Sequence, residues 1–125
     1  MLVEVSNGEV IDKISILELK CLYITDLEKL EHVKKEHGYL LAAAIEGLGF
    51  DFNSQLYKDL YMANKDLWRI EDEIRLKEKN KEFDSEFIQL ARLVYITNDR
   101  RAKIKNDINK ITKSNFVEQK SYEKY

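Results

Sequence analysis

Arg101 stands where a leucine is due. From residue 87 onward apolar side chains recur at steps of three and four (Phe87, Leu90, Val94, Ile104, Ile108, Ile111), the spacing of one helix face. Thr97 and Arg101 take two positions on that same face, and Asn98 lies beside them. A guanidinium stays charged at any physiological pH and presents its donors in a rigid planar fork. On an apolar face it needs an acidic partner, because an unpaired buried charge is strongly destabilising. Two chemistries answer that need. Either the arginine clamps the carboxylate or phosphate of a ligand, or a carboxylate of the chain itself neutralises it and fixes the register of the helices.

The elements that must position Arg101 follow from periodicity and start signals. Ser6 and Glu9 have capping-box spacing, and behind them Val10, Ile14, Leu17, Cys21 and Ile24 form a narrow seam. Thr25 and Glu28 repeat the signal, and the seam changes phase to Leu27, Leu30, Val33, His37 and Leu40. Residues 7–46 are therefore two helices, or one sharply kinked helix, with Gly38 a further place where the segment could end. Gly47 and Gly49 mark a loop, with Asn53 and Ser54 as caps for a third helix over about 54–80. Its seam is Leu56, Leu60, Ala63, Leu67, Ile70 and Ile74. Asp84 caps a fourth helix over about 84–113. The fold class is all-α, an antiparallel bundle of three to four helices built on this long hairpin, and residues 1–125 form one domain. The tail, 114–125, lacks periodicity, and either docks through Phe116, Val117 and Tyr122 or frays.

If the hairpin folds about residue 82, every seam position of the third helix finds a seam partner and Arg101 falls opposite Ala63, the smallest residue of the facing stripe. The carboxylates within reach are Asp66 on the third helix and, if the first helix covers the seam, Asp12 and Glu18, with Lys13 between them. Asn64 and Asn98 supply amides to the same space. The expectation is an interhelical polar cluster of Arg101 and Asn98 with at least one of Asp12, Glu18 and Asp66.

Other chemistry is largely absent. The chain has no glycine-rich phosphate loop, no nucleophile elbow and no cysteine pair with zinc spacing. His32 and His37 are five apart and do not share a helix face, so no metal site and no cofactor are expected. The carboxylate pairs Glu71–Asp72 and Glu28–Glu31 suggest a magnesium site of the helical pyrophosphatase kind. The acids are spread over several faces and mixed with lysines, so solvated faces explain them better. Residues 99–113 carry a local charge of +4 and residues 71–86 one of -3. Adjacent antiparallel helices of opposite charge pair with each other, which speaks against a nucleic-acid surface. Cys21, the one cysteine, lies on the first seam and reads as an inert core thiol.

The net charge of -2 gives no field that would draw the chain to nucleic acid or to an acidic membrane. No apolar stretch is long enough to span a bilayer, and "MLVEVSNGEV" has no basic leader. The expectation is a soluble, cytoplasmic protein.

Two resemblances bear on this reading. "IDKISILELK" is similar to the opening helix of helical chorismate mutases, but Gly8 and Thr25 stand where that family needs arginines, so the likeness fails where the chemistry is done. A second one covers residues 5–122. "GEVIDKISILELK", "NKDLWRIEDEIRLKEK", "FDSEFIQLARLVYITNDRRAKIKNDIN" and "VEQKSY" occur in this order. Together they resemble a small all-helical family of unknown function from bacteria and cyanophages, with Gln119 in place of an expected glutamate. That resemblance implies a single helical domain and no assigned catalytic residue.

Two function classes follow. The leading one is a non-catalytic helical binding or assembly module that self-associates, with seven Tyr, five Phe and one Trp as adhesive surface. The alternative is a small enzyme or a binder of an anionic metabolite, such as a sugar nucleotide or phosphate, using Arg92, Arg101 and Lys105.

Overall fold

The computed structural model describes all 125 residues. It holds four helices and no strand: α1 (Asn7–Tyr23), α2 (Leu27–Leu48), α3 (Gln55–Lys79) and α4 (Ser85–Ile111). Side-chain oxygens of Ser6, Ser54 and Asp84 accept from the backbone N–H of Glu9, Tyr57 and Phe87, the role their sequence positions demand. The cap of α2 is Asp26 and not Thr25; its carboxylate accepts from the Lys29 N–H at 3.0 Å. A negative charge at that point also suits the positive end of the helix dipole. Glu9 does not complete a capping box, because its carboxylate turns instead to the Lys105 ammonium.

The segment read as one kinked helix or two is two helices. Gly38 does not end α2, which runs on to Leu48 and closes on Gly49 in the left-handed region at φ 60°.

The first helix is the centre of the molecule. It packs against α2, α3 and α4, whereas α2 packs along α1 and has no comparable backbone contact with the hairpin. The expected narrow seam is accordingly too narrow. Ile14 and Leu17 are buried, but so are Ile11, Asp12, Ser15 and Leu19, while Val10, Cys21 and Ile24 are half-buried. A helix with three neighbours buries positions that a single stripe leaves outside.

The core joins Ile11 and Ile14 of α1 to Ala44, Leu60, Ala63, Ile104 and Ile108. Tyr57, off the seam by sequence, belongs to it as well and packs edge-on against Phe52, which meets Phe50 the same way. At the hairpin turn the Lys77 ammonium gathers Glu82, Asp84 and Glu86. The tail lies beside the N-terminal segment. Ser114 Oγ accepts from the Asn7 N–H at 2.9 Å, Asn115 donates to Glu4 at 3.0 Å, and Glu118 reaches Lys105 at 3.4 Å.

Candidate functional site

Gly8 sets the approach of α1 to α4. Its backbone N–H donates to Asn109 Oδ1 at 2.6 Å, and a Cβ there would stand 2.4 Å from the Lys105 carbonyl oxygen. Only glycine admits so close a crossing. The antiparallel register then brings Glu9 against Lys105 (2.7 Å) and, one turn further, Asp12 against Arg101.

Asp12 is 1% exposed, the most deeply buried charged side chain of the molecule. Arg101 answers it with both arms of its fork: Nε donates to Oδ1 at 2.9 Å and Nη2 to Oδ2 at 2.5 Å. Asn64 Nδ2 donates to Asp12 Oδ1 at 2.9 Å and to Ser15 Oγ at 2.7 Å, and the Ser15 hydroxyl donates to the Asp12 carbonyl at 2.7 Å. The hydrogen bonds it donates to Asp12 hold the guanidinium even more firmly charged than usual, against the opposing effect of its burial. Asn98 is a lesser member, its Oδ1 3.5 Å from Arg101 Nη1.

Of the residues picked from sequence, Arg101, Asn98 and Asp12 are brought together, while Asp66 and Glu18 are not. Asp66 pairs with Arg100 at 2.7 Å on the outer side of the hairpin. Two residues along a helix point in nearly opposite directions, so once Asn64 faces Arg101, Asp66 cannot. Glu18 accepts instead from the Tyr57 hydroxyl, and the phenol is pushed up by its burial and by that carboxylate. Ser15 and the Glu9–Lys105 pair escaped the sequence reading. A signal for both existed: Ser15 lies three residues after Asp12, and Glu9 and Lys105 are its counterpart one turn away in the same antiparallel register. Arg92 is exposed and stands apart.

Beside the cluster opens a groove of about 510 Å³, walled by Ile16, Leu67 and Trp68 and lined by Asn64, Asn98 and Arg101. Trp68 is braced by the ring of Tyr23 at 5.3 Å. Glu71, Asp72 and Arg75 complete the lining, so two carboxylates balance two guanidinium groups. Such a groove has no net pull on an anion. No group of three or more His, Cys, Asp or Glu side chains is placed to hold a metal ion, and the half-buried Cys21 lies outside the groove. The chemistry on offer is hydrogen bonding and an apolar wall.

No curated protein and no solved structure matches this chain. A family model does, over residues 1–125, and the chain thus belongs to a family of unknown function (DUF6165).

Proposed function

We propose that this protein is a non-catalytic helical module that works by assembly, beginning with copies of itself. The observation that carries this reading is the extent of its surface. The chain exposes 9033 Å², where a compact monomer of 14.8 kDa exposes about 7,000 Å². Only 19 of 125 residues are buried, and large apolar side chains such as Leu27, Tyr39, Ile45 and Ile88 stand more than half exposed. Exposed termini supply part of that excess, and exposed apolar side chains on the helices supply another part. The polar cluster supports the same reading from inside. Arg101 already has its carboxylate within the chain, so the cluster is a register pin. A cytoplasmic address, with no disulfide to form, belongs to this proposal.

Light scattering at high micromolar concentration tests it. A mass of twice 14.8 kDa or more is the expected result, and a strict monomer overturns the proposal.

The groove beside Arg101 favours a second reading, a binder of a small metabolite. A thermal-shift screen with nucleotides, sugar phosphates and dicarboxylates tests it, because a ligand of the folded state raises the melting temperature. A flat response to all of them overturns this second reading.

A further inference from the structure

The cluster around Asp12 leaves half of one amide unused. Asn64 is 5% exposed, and its Nδ2 donates to Asp12 Oδ1 and to Ser15 Oγ. An ionised carboxylate only accepts hydrogen bonds, so this orientation of the amide is fixed and Oδ1 points the other way. Oδ1 accepts nothing from the chain. It is not sealed off either, for the side-chain polar atoms enclosed without a partner are Asn106 Oδ1 and Asn109 Nδ2. It therefore opens on the groove that Asn64 lines. An acceptor left unpaired in so buried a side chain is costly, so what enters the groove must bring it a donor.

A donor stands beside it. Arg101 Nε and Asn64 Nδ2 converge on the same Asp12 Oδ1, each at 2.9 Å, so the two side chains are neighbours. The guanidinium commits Nε and Nη2 to Asp12, while Nη1 has only Asn98 Oδ1 at 3.5 Å, too long for a good hydrogen bond. The groove thus offers a fixed acceptor and a fixed donor side by side. The edge of a nucleobase, where an N–H lies next to a carbonyl oxygen or ring nitrogen in one plane, answers that pair with two hydrogen bonds. The walls suit a flat ring as well. Tyr23 lines a second groove on the other flank of Trp68 and not this one, so the indole carries no second ring on the side of Arg101. Bases stack on such a plate whatever their identity, and Ile16 and Leu67 complete an apolar slot. One turn beyond Trp68, Asp72 lines the groove without an ion-pair partner, whereas Glu71 is taken by Arg75 at 3.0 Å. A free carboxylate accepts from sugar hydroxyls and repels a phosphate. Recognition here is of base and sugar, not of charge.

We infer that this groove takes the nucleoside part of its ligand, with the base on Trp68 and the base edge on Asn64 Oδ1 and Arg101 Nη1. The inference rests on the metabolite-binding reading above and names its ligand class. Trp68 is the one tryptophan of the chain, so its fluorescence reports stacking directly. The full-length protein is titrated with adenosine, guanosine, cytidine and uridine, with their monophosphates, and with ribose phosphate and succinate as ligands that lack a base. The expected result is saturable quenching by at least one nucleoside, no tighter binding of its monophosphate, and no response to ribose phosphate or succinate. By calorimetry, Trp68→Leu and Asn64→Leu, each of unchanged helicity, should bind that nucleoside about tenfold more weakly or worse. Should Asn64→Leu fail to fold, the parent is given the same nucleoside methylated at the donor nitrogen of its edge, and the same loss is expected. Binding of ribose phosphate or succinate, with none of any nucleoside, overturns this ligand class and leaves a metabolite site standing. Nucleoside binding that survives either substitution, or the methylation, overturns the placement in this groove. No binding of any of these compounds overturns both readings.

Discussion

Leu60 and Ile74 occupy equivalent places on the seam of α3, two heptads apart. Leu60 is fully buried, whereas Ile74 is only half-buried. The same contrast runs through α4, from Ile104 and Ile108, which are buried, to Phe87 and Val94, which are not. The hairpin does not change character between its halves. What differs is α1, which lies on the half near Arg101 and leaves the half near the turn less covered, although Leu90 is still buried there. Two helices alone bury little of their seam, and a third makes a core of it. The near half is also held by polar groups largely shielded from water, the Asp12–Arg101–Asn64–Ser15 network. The far half is held by exposed pairs such as Arg69–Glu73 and Arg75–Glu71, which are worth little in water.

The largest expected effect comes from unpinning the near half. Asp12→Ala leaves the Arg101 charge partly buried without a partner and should destabilise the fold by about 3–5 kcal/mol, read as a lower urea midpoint at unchanged slope. Replacing both residues, Asp12→Leu with Arg101→Met, should restore most of that loss if the network is a register pin. A double variant no better than Asp12→Ala contradicts the pin.

Truncation on the seam measures the contrast directly. Leu60→Ala should cost about 3 kcal/mol and Ile74→Ala about 1 kcal/mol, because only the first opens a cavity closed on all sides. Equal losses would mean that the far half is covered in solution, as self-association through it would make it. Running the pair above and below the association concentration separates the two cases.

Gly8→Ala ranks third. The added methyl meets backbone at Lys105 and not a movable side-chain end, so α1 must shift off α4. A loss of about 2 kcal/mol is expected, with slower hydrogen exchange lost around Asn109 before it is lost at the turn.

The smallest effect belongs to the far half and to acid. The Phe87 N–H and the Lys77 ammonium hold the Asp84 carboxyl below its usual range. A carboxylate lowered in the folded state contributes stability that is fully present above its unfolded pKa, about 4, and is lost as pH falls through the lower folded value. NMR of the hairpin turn on acid titration should show fraying there while the amides of the core are still protected. Asp84→Asn, which keeps a capping oxygen, should remove that dependence.

Much of the architecture could be read directly from the chain. Start signals, a glycine loop and two matched seams dictate a bundle of three or four helices and its hairpin, because capping and apolar spacing are local properties of the chain. The same reasoning placed Arg101 opposite Ala63 and named Asp12 among its partners. It could not choose among Asp12, Glu18 and Asp66. That choice depends on how α1 is rotated about its own axis and how closely it crosses α4, and a one-residue turn of a helix moves every side chain by a quarter of a circle or more. The close approach at Gly8 fixes that rotation. It sends Glu9 to Lys105, Asp12 to Arg101 and Glu18 away to Tyr57. The sequence thus determined which residues form helices and that an arginine would need a carboxylate. Only tertiary packing decided which carboxylate, and which half of the hairpin would be less covered, because both depend on where a third helix lies and not on the local order of residues.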